Sequence, residues 1–199
     1  MILLLPAGAY FAYRTYEWNY GNLPYFNTSG TGSVAEKSAP VIPFFSFTNQ
    51  DGKAITLKET RNKITVFNFF FATCRTICPD MLTNETKVAK AFAENQRVNL
   101  LSITVDPEND TRELLEAYSR EYRKLSSHWH FLTGEKPAIY RFARKGLNVT
   151  ATDGDGGPDD FIHSEFLILV DGDGKLRGYY SGTEENRVDD LIADIQKLL

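Results

Sequence analysis

The stretch Ile64-Thr-Val-Phe-Asn-Phe-Phe-Phe71 decides the fold, and it leads after two residues into Cys74-Arg-Thr-Ile-Cys78-Pro79. A strongly apolar run of this length, rich in aromatic and β-branched residues, is typical of a buried strand. The residues that follow carry apolar side chains at helical spacing, and Val98–Val105 is a second apolar strand. This order predicts a β-α-β unit, with the two cysteines where the first strand runs into the helix.

The sequence patterns outside this β-α-β unit are also typical of an α/β fold. Asp51-Gly52 and Asp171-Gly-Asp-Gly174 are typical turn sequences between pairs of short strands. Asp110 and Glu113 are predicted to cap a further helix. The elements predicted outside the β-α-β unit are a hairpin at 43–57, helices at 110–118 and 137–145, a hairpin at 166–180 and a final helix at 188–198. We expect a mixed β-sheet covered by helices on both faces, with a β-hairpin at its N-terminal side.

The N-terminal residues differ in character from the rest of the chain. An uncharged apolar run of 13 residues precedes Arg14, which is shorter than the roughly 20 residues of a spanning helix. We interpret residues 1–20 as part of a membrane anchor or as a signal remnant, with aromatic residues at the membrane interface. Residues 21–38, rich in polar residues and glycine, are predicted to be a flexible linker, and residues 39–199 a single domain.

Composition excludes several classes of protein. The chain has 22 basic and 26 acidic residues, so it lacks the strongly basic character of a nucleic-acid-binding protein. With two cysteines in all, neither a disulfide-rich scaffold nor a four-cysteine zinc site can form. A metal bound by the cysteines must therefore recruit other ligands, and the candidate imidazoles are those of His128, His130 and His163.

The spacing of Cys74 and Cys78 indicates a site built on two sulfurs. If the helix begins near Cys74, both sulfurs project from one face. Cα atoms at this spacing in a helix are about 6 Å apart, inside the range of about 4.4–6.8 Å for a disulfide. A reversible disulfide, a soft-metal site and a combination of the two all fit, and inert buried cysteines are the alternative. The helix dipole and the charge of Arg75 are expected to ionise at least one thiol near neutral pH.

Three motifs together resemble those of the Sco/SenC family, over roughly residues 39–199. They are Phe70-Phe71-Ala-Thr-Cys74-Arg-Thr-Ile-Cys78-Pro79, then Ile103-Thr-Val-Asp106-Pro-Glu-Asn-Asp-Thr111, then Phe161-Ile-His163-Ser before an apolar strand. The chain departs from the family pattern at Arg75, where proline is common, and at Ile162, where aspartate is common. Asp159 and Asp160 lie close to the second departure.

The resemblance implies a thioredoxin-like domain that is anchored in a membrane of the cell envelope and faces the periplasm or the exterior. It implies copper, as Cu(I) and in a second state as Cu(II), bound by Cys74, Cys78 and His163. It further implies a non-catalytic chaperone that assists assembly of the dinuclear copper centre (CuA) of cytochrome c oxidase. The implied partners are the copper-bearing subunit of that oxidase, the membrane, and another copper chaperone or a thiol reductant; nucleic acid is not expected.

Two other functions stay open on the sequence. The first is a thiol–disulfide oxidoreductase, with Cys74 and Cys78 as the redox pair, that acts on cysteines of an oxidase subunit or of another envelope protein. The second is a binding module with a thioredoxin fold and vestigial cysteines. The oxidoreductase needs only the two sulfurs, so a requirement for His163 separates it from the copper chaperone.

Overall fold

The computed structural model describes residue 8 and residues 23–27, 33–149 and 164–199. Apart from Gly8, the predicted anchor at 1–20 therefore lies outside the described residues. Within the described part of the chain, no helix is both long enough and apolar enough to cross a membrane.

Strands and helices alternate along most of the described chain. The strands are β1 (Tyr25–Phe26), β2 (Ser33–Val34), β3 (Ser46–Asn49), β4 (Ala54–Thr56), β5 (Ile64–Phe70), β6 (Val98–Thr104), β7 (Trp129–Thr133), β8 (Phe166–Val170) and β9 (Leu176–Ser181). The helices are α1 (Leu57–Thr60), α2 (Ile77–Ala91), α3 (Arg112–Arg123), α4 (Lys136–Arg141), which continues into a π-helical turn at Phe142–Gly146, and α5 (Glu185–Leu198).

Seven of these strands form one mixed sheet in the order β4-β3-β7-β6-β5-β8-β9. β5, β6 and β7 are parallel to one another. The four outer strands pair antiparallel with their neighbours. The predicted β-α-β unit is therefore the centre of the sheet, and the two predicted hairpins form its edges.

The inner strand β5 separates two hydrophobic cores, and all 7 of its residues are buried. Ile64, Val66 and Phe70 belong to one core, together with residues of α2, α3 and α5. Phe67 and Phe69 belong to the other, together with residues of α4 and its π-helical turn. Because successive residues of a strand point to opposite faces, the two cores lie on opposite sides of the sheet. The prediction of a mixed sheet with helices on both faces is confirmed.

Both hairpins close through aspartate–glycine turns. Gly52 adopts a φ of 78° in the β3–β4 turn, in the left-handed region that glycine tolerates best. In the β8–β9 turn, Asp171 Oδ1 accepts the backbone N–H groups of Asp173 at 3.1 Å and of Lys175 at 2.9 Å. The other oxygen of Asp171 accepts a hydrogen bond from Arg177 Nη1 at 2.9 Å. Asp171 is thus a turn residue, as its sequence context predicts.

The described parts of the predicted linker lie against the domain. Arg177 Nη2 donates to the Leu23 carbonyl at 2.7 Å, and its Nε donates to the Pro24 carbonyl at 3.1 Å. The Tyr25 ring packs on the same guanidinium, with 3.9 Å between the ring centroid and Cζ. Residues 23–25, which belong to the predicted flexible linker, are thus in contact with one buried arginine. The domain boundary at residue 39 stays a prediction.

The helix after β6 is capped by a different residue from the one predicted. Thr111 is the N-cap of α3, and its hydroxyl accepts the Leu114 N–H at 3.4 Å. The prediction that Asp110 caps this helix is wrong, because its carboxylate accepts hydrogen bonds from the chain after β5 and from the end of β6.

Glu85 is an ionisable residue inside the hydrophobic core. It lies on α2 and is fully buried, and neither carboxylate oxygen has a hydrogen-bond partner among the described residues. Asn68 of β5, on the same side of the sheet, is also buried with no partner for its amide atoms there. Burial raises the pKa of Glu85 to about 8. The folded protein therefore keeps Glu85 protonated at neutral pH.

This protonation predicts a pH-dependent stability. From about pH 4.5 to about pH 8 the folded state keeps the Glu85 proton while the unfolded state releases it, so the free energy of unfolding should fall as pH rises. The slope from one such group is at most roughly 1.4 kcal/mol per pH unit, and the stabilisation is fully present only below this window. Glu85→Gln should remove this part of the slope.

Urea denaturation at several pH values between about 5 and 8 measures the slope. Glu113→Gln changes an exposed glutamate and serves as the matched control. An equal slope in the Glu85→Gln variant and the unsubstituted protein would contradict the assignment.

Candidate functional site

Cys74 and Cys78 lie beyond the carboxyl end of β5, the end of a parallel strand at which α/β proteins commonly place functional groups. α2 begins at Ile77, so Cys74 precedes the helix and Cys78 lies in its first turn. The condition that the helix begins near Cys74, under which both sulfurs would project from one helix face, is therefore not met. Residues 71–76, which we call the cysteine loop, carry the first cysteine, and the Cys74 N–H donates to the Phe71 carbonyl at 3.1 Å.

The two cysteines are free thiols in different surroundings. Cys78 is buried, with 4% of its surface exposed, whereas Cys74 is partly exposed. The Cys74 sulfur lies 3.6 Å from the Thr76 hydroxyl. It also accepts hydrogen bonds from the Cys78 thiol and from the backbone N–H groups of Thr76 and Cys78. An accessible sulfur is therefore hydrogen-bonded to a buried one.

Hydrogen bonding separates the acidities of the two thiols. Partial burial acts to raise the pKa of Cys74, but the hydrogen bonds from Cys78 and Thr76 outweigh it and lower that pKa to about 7. Burial, together with donation of its proton to Cys74, raises the pKa of Cys78 to about 12. One thiol is thus partly ionised near neutral pH, as expected. The dominant cause is hydrogen bonding rather than the charge of Arg75, whose side chain is exposed.

Asp110, which was predicted to cap a helix, is a residue of the site. It is buried, and its Oδ2 accepts the Ala72 N–H at 3.0 Å and the Thr104 hydroxyl at 2.5 Å. Ala72 lies in the cysteine loop and Thr104 ends β6, so one carboxylate ties the loop to the neighbouring strand. The other oxygen has no hydrogen-bond partner among the described residues, and burial raises the pKa of Asp110. The signal in the sequence was the polar motif at 106–111, which follows the strand end.

An aromatic side chain closes the inner side of the site. Tyr118 of α3 stacks on Phe70 at the end of β5, with 5.6 Å between the ring centroids. Burial raises the pKa of Tyr118, and the nearby Tyr122, Cys78 and Asp110 raise it further. Tyr118 therefore stays protonated and lies close enough to Cys78 and Asp110 to interact with both electrostatically.

His163, the third predicted ligand, lies outside the described residues. The described chain resumes at Ser164, and β8 begins at Phe166. β8 pairs antiparallel with β5, with Ile168 opposite Phe67. The start of β8 is therefore at the same end of the sheet as the end of β5, from which the cysteine loop leaves.

The other two histidines lie away from the cysteines. His128 precedes β7 and His130 is its second residue, and β7 runs parallel to β6 and β5. His130 lies opposite Leu101, at the middle of β6, and His128 lies two residues before it, so both are displaced along the strands away from the end of the sheet that carries the cysteine loop. Met81 is a fully buried core residue. Within the ranges that the structure describes, no group of three or more histidine, cysteine, aspartate or glutamate side chains could hold a metal ion.

Comparison with known proteins decides the family. Residues 33–199 match the family model described as SCO1/SenC. The chain belongs to the SCO1/SenC family. This confirms the resemblance drawn from the cysteine, Asp106–Thr111 and His163 motifs, and the matched region takes in all seven strands of the mixed sheet.

Relatives and solved structures of this family cover most of the chain. A SCO1 protein homolog from Bacillus subtilis is 36% identical over 154 residues, which are 76% of this chain and 79% of the relative. The solved structure of BsSco, described as a Sco-family cytochrome c oxidase assembly protein with a disulfide switch, is 35% identical with a TM-score of 0.68, and the match covers 81% of this chain and 94% of that one. Copper-bound ScoI from Bradyrhizobium japonicum is 25% identical with a TM-score of 0.63, and that match covers 80% and 100%. The family thus contains copper-binding proteins and is linked to assembly of cytochrome c oxidase.

The unequal thiols predict unequal alkylation. Iodoacetamide should modify Cys74 well before Cys78, with the rate rising through a midpoint near pH 7, because thiolate is the reacting form and Cys74 is the accessible, more acidic thiol. Peptide mass spectrometry after timed quenching measures both sites. Cys78→Ser should shift the midpoint, since a different donor then faces the Cys74 sulfur, whereas His128→Ala should leave it unchanged. Equal rates at the two cysteines would contradict this assignment.

The Asp110 carboxylate predicts a stability effect centred on the cysteine loop. Asp110→Ala leaves the Ala72 N–H and the Thr104 hydroxyl without their acceptor and should lower the free energy of unfolding by about 1–3 kcal/mol. Asp110→Asn keeps an acceptor oxygen and should lose less. Urea denaturation of both variants, beside Asp173→Ala at an exposed turn, tests this. Equal losses of unfolding free energy in Asp110→Ala and Asp173→Ala would show that the hydrogen bonds to Asp110 contribute nothing to stability.

Proposed function

We propose that this chain is a copper chaperone that binds copper through Cys74, Cys78 and His163 and assists assembly of the CuA centre of cytochrome c oxidase. The observation that carries the proposal is the pair of free cysteines beyond β5, one of which is partly ionised near neutral pH. Two thiolates and an imidazole are a donor set suited to Cu(I). Copper-bound ScoI, a member of the same family, supports copper as the cargo.

The two sulfurs contribute differently to capturing the ion. Cys74 is partly exposed and partly ionised, so much of the population can ligate Cu(I) without first losing a proton. Cys78 is protonated at neutral pH and must release its proton, because the thiolate is the form that binds metal. Copper binding should therefore release protons and become tighter as pH rises.

His163 is proposed as the third ligand on the basis of chain connectivity. Ser164 follows it directly, and β8 begins two residues after Ser164 at the end of the sheet where β5 ends. A residue just before β8 is therefore within reach of the cysteine loop. His128 precedes β7 and His130 is its second residue, so neither lies at the end of the sheet where the cysteine loop begins.

The cellular setting is proposed from the N-terminal residues. Residues 1–20 would anchor the protein in a membrane of the cell envelope, residues 21–38 would connect the anchor to the domain, and the domain would face the periplasm or the exterior. The uncharged apolar run before Arg14 supports the anchor. The copper-bearing oxidase subunit, and a copper donor or thiol reductant, would be the partners on that side of the membrane.

A thiol–disulfide oxidoreductase is the second candidate, and the lowered pKa of Cys74 favours it. The Cys74 thiolate would attack a disulfide in the partner, and Cys78 would then resolve the mixed disulfide. This leaves a Cys74–Cys78 disulfide and two thiols in the partner. The disulfide switch described for BsSco supports such chemistry in the family. The two roles alternate, because the oxidised pair cannot bind Cu(I).

Copper loading of ligand variants tests the first candidate. The reduced full chain, loaded with Cu(I) without oxygen, should retain about one copper per chain against a competing Cu(I) chelator. Cys74→Ser, Cys78→Ser and His163→Ala should each weaken retention at least tenfold. His130→Ala, at a histidine opposite the middle of β6, should not. Atomic absorption after gel filtration measures the bound metal.

The outcomes separate the candidates. Full copper affinity in His163→Ala would remove the histidine from the site. No copper, together with a Cys74–Cys78 disulfide that cycles against a glutathione buffer, would favour the oxidoreductase. No copper and no enhanced thiol reactivity would leave a binding module with vestigial cysteines.

A further inference from the structure

An apolar groove lies at the end of the sheet opposite the cysteine loop. It measures about 350 Å³ and lies between the segment before β3, the helix α1 and the β8–β9 turn. Phe44 and Val41 line it and are 75% and 50% exposed. Few large apolar side chains of the described residues are this exposed, and these two lie in one groove.

Basic side chains stand at the rim of this groove. Lys58 lies in α1, and Arg61 directly follows this helix. Both side chains line the groove and are exposed. Asp173, in the β8–β9 turn, is the acidic residue among the described lining residues. Exposed aromatic and aliphatic side chains beside lysine and arginine are the pattern of proteins that rest on an anionic lipid surface.

The N-terminal segment joins the domain near this groove. Leu23 is held by Arg177, the second residue of β9, and Val41 forms a bridge with Lys175 two residues earlier. The start of β9 pairs with the end of β8, and the end of β8 pairs with the start of β5. Leu23, which the uncharged apolar run precedes in the sequence, therefore lies at the end of the sheet that carries the groove.

We infer that this groove rests on the surface of an anionic lipid bilayer, with Phe44 and Val41 in contact with the acyl-chain boundary and Lys58 and Arg61 facing lipid phosphates. The inference builds on the proposed membrane anchor and adds the orientation of the folded domain relative to the bilayer. The 7 residues of β5 span about 20 Å. The cysteine loop, beyond the far end of β5, is consequently held away from the bilayer and faces a partner that projects from the membrane.

Quenching of an introduced tryptophan by brominated lipid tests the orientation. The full chain is reconstituted in vesicles of phosphatidylcholine and phosphatidylglycerol whose acyl chains carry bromine. Trp18→Phe leaves Trp129, which is fully buried, as the remaining native tryptophan. In this background, Phe44→Trp should lose at least half of its added emission. Leu114→Trp, at an exposed site at the start of α3 near the cysteine loop, should lose little.

The basic rim is tested in the same vesicles. Lys58→Gln combined with Arg61→Gln should reduce the quenching of Phe44→Trp, and raised salt should do the same, because both weaken attraction to the phosphates. Vesicles of phosphatidylcholine alone should give less quenching than the anionic mixture.

Three results would overturn the inference. The first is equal quenching of Phe44→Trp and Leu114→Trp, and the second is no quenching of either. The third is a blue-shifted emission of Phe44→Trp that depends on protein concentration in the absence of lipid. This third result would identify a second copy of the chain as the occupant of the groove. Copper loading of each reconstituted variant is measured in parallel. If copper loading is normal but Phe44→Trp is not selectively quenched, the lipid-facing groove is overturned and the copper site is unaffected. If copper loading is lost but Phe44→Trp is selectively quenched, the result counts against the copper site and not against the lipid-facing groove.

Discussion

The burial of β5 on both faces is the constraint on which the rest of the structure depends. Its side chains alternate between two apolar cores, and each core needs helices from a different part of the chain to cover it. A central strand of this kind must also have neighbours on both edges, which β6 and β8 supply. The end of β5 therefore has a fixed position in the molecule, and so does the start of the cysteine loop that follows it.

The functional site makes use of this fixed end. The cysteine loop leaves β5, the chain at Asp106–Asp110 leaves β6, and β8 begins beside them. Asp110 joins the first two by hydrogen bonds across 38 positions in sequence. Tyr118 covers the inner side, so Cys78 is shielded while Cys74 meets solvent. The difference in acidity between the two thiols follows from this arrangement and needs no basic residue beside them.

Local patterns in the sequence predicted the fold well, because apolar runs and aspartate–glycine turns determine strands and hairpins without distant contacts. The site was predicted in part. The place of the cysteines at the end of β5 follows from the strand order, but the role of Asp110 depends on a hydrogen bond to Ala72, which lies 38 positions away in the sequence. Glu85 lies at a core position of an amphipathic helix, and nothing local distinguishes it from a surface glutamate. The position of His163 stays a prediction.

Arg177 gives the molecule a mechanical property. It donates hydrogen bonds to the Leu23 and Pro24 carbonyls, and the Tyr25 ring packs on its guanidinium. A force on the N-terminal segment would therefore be transmitted to β9, the strand that carries Arg177. β9 is an edge strand, and β8 separates it from β5. A force on residues 23–25 would therefore act first on the border of the sheet, two strands away from the strand that leads into the two cysteines.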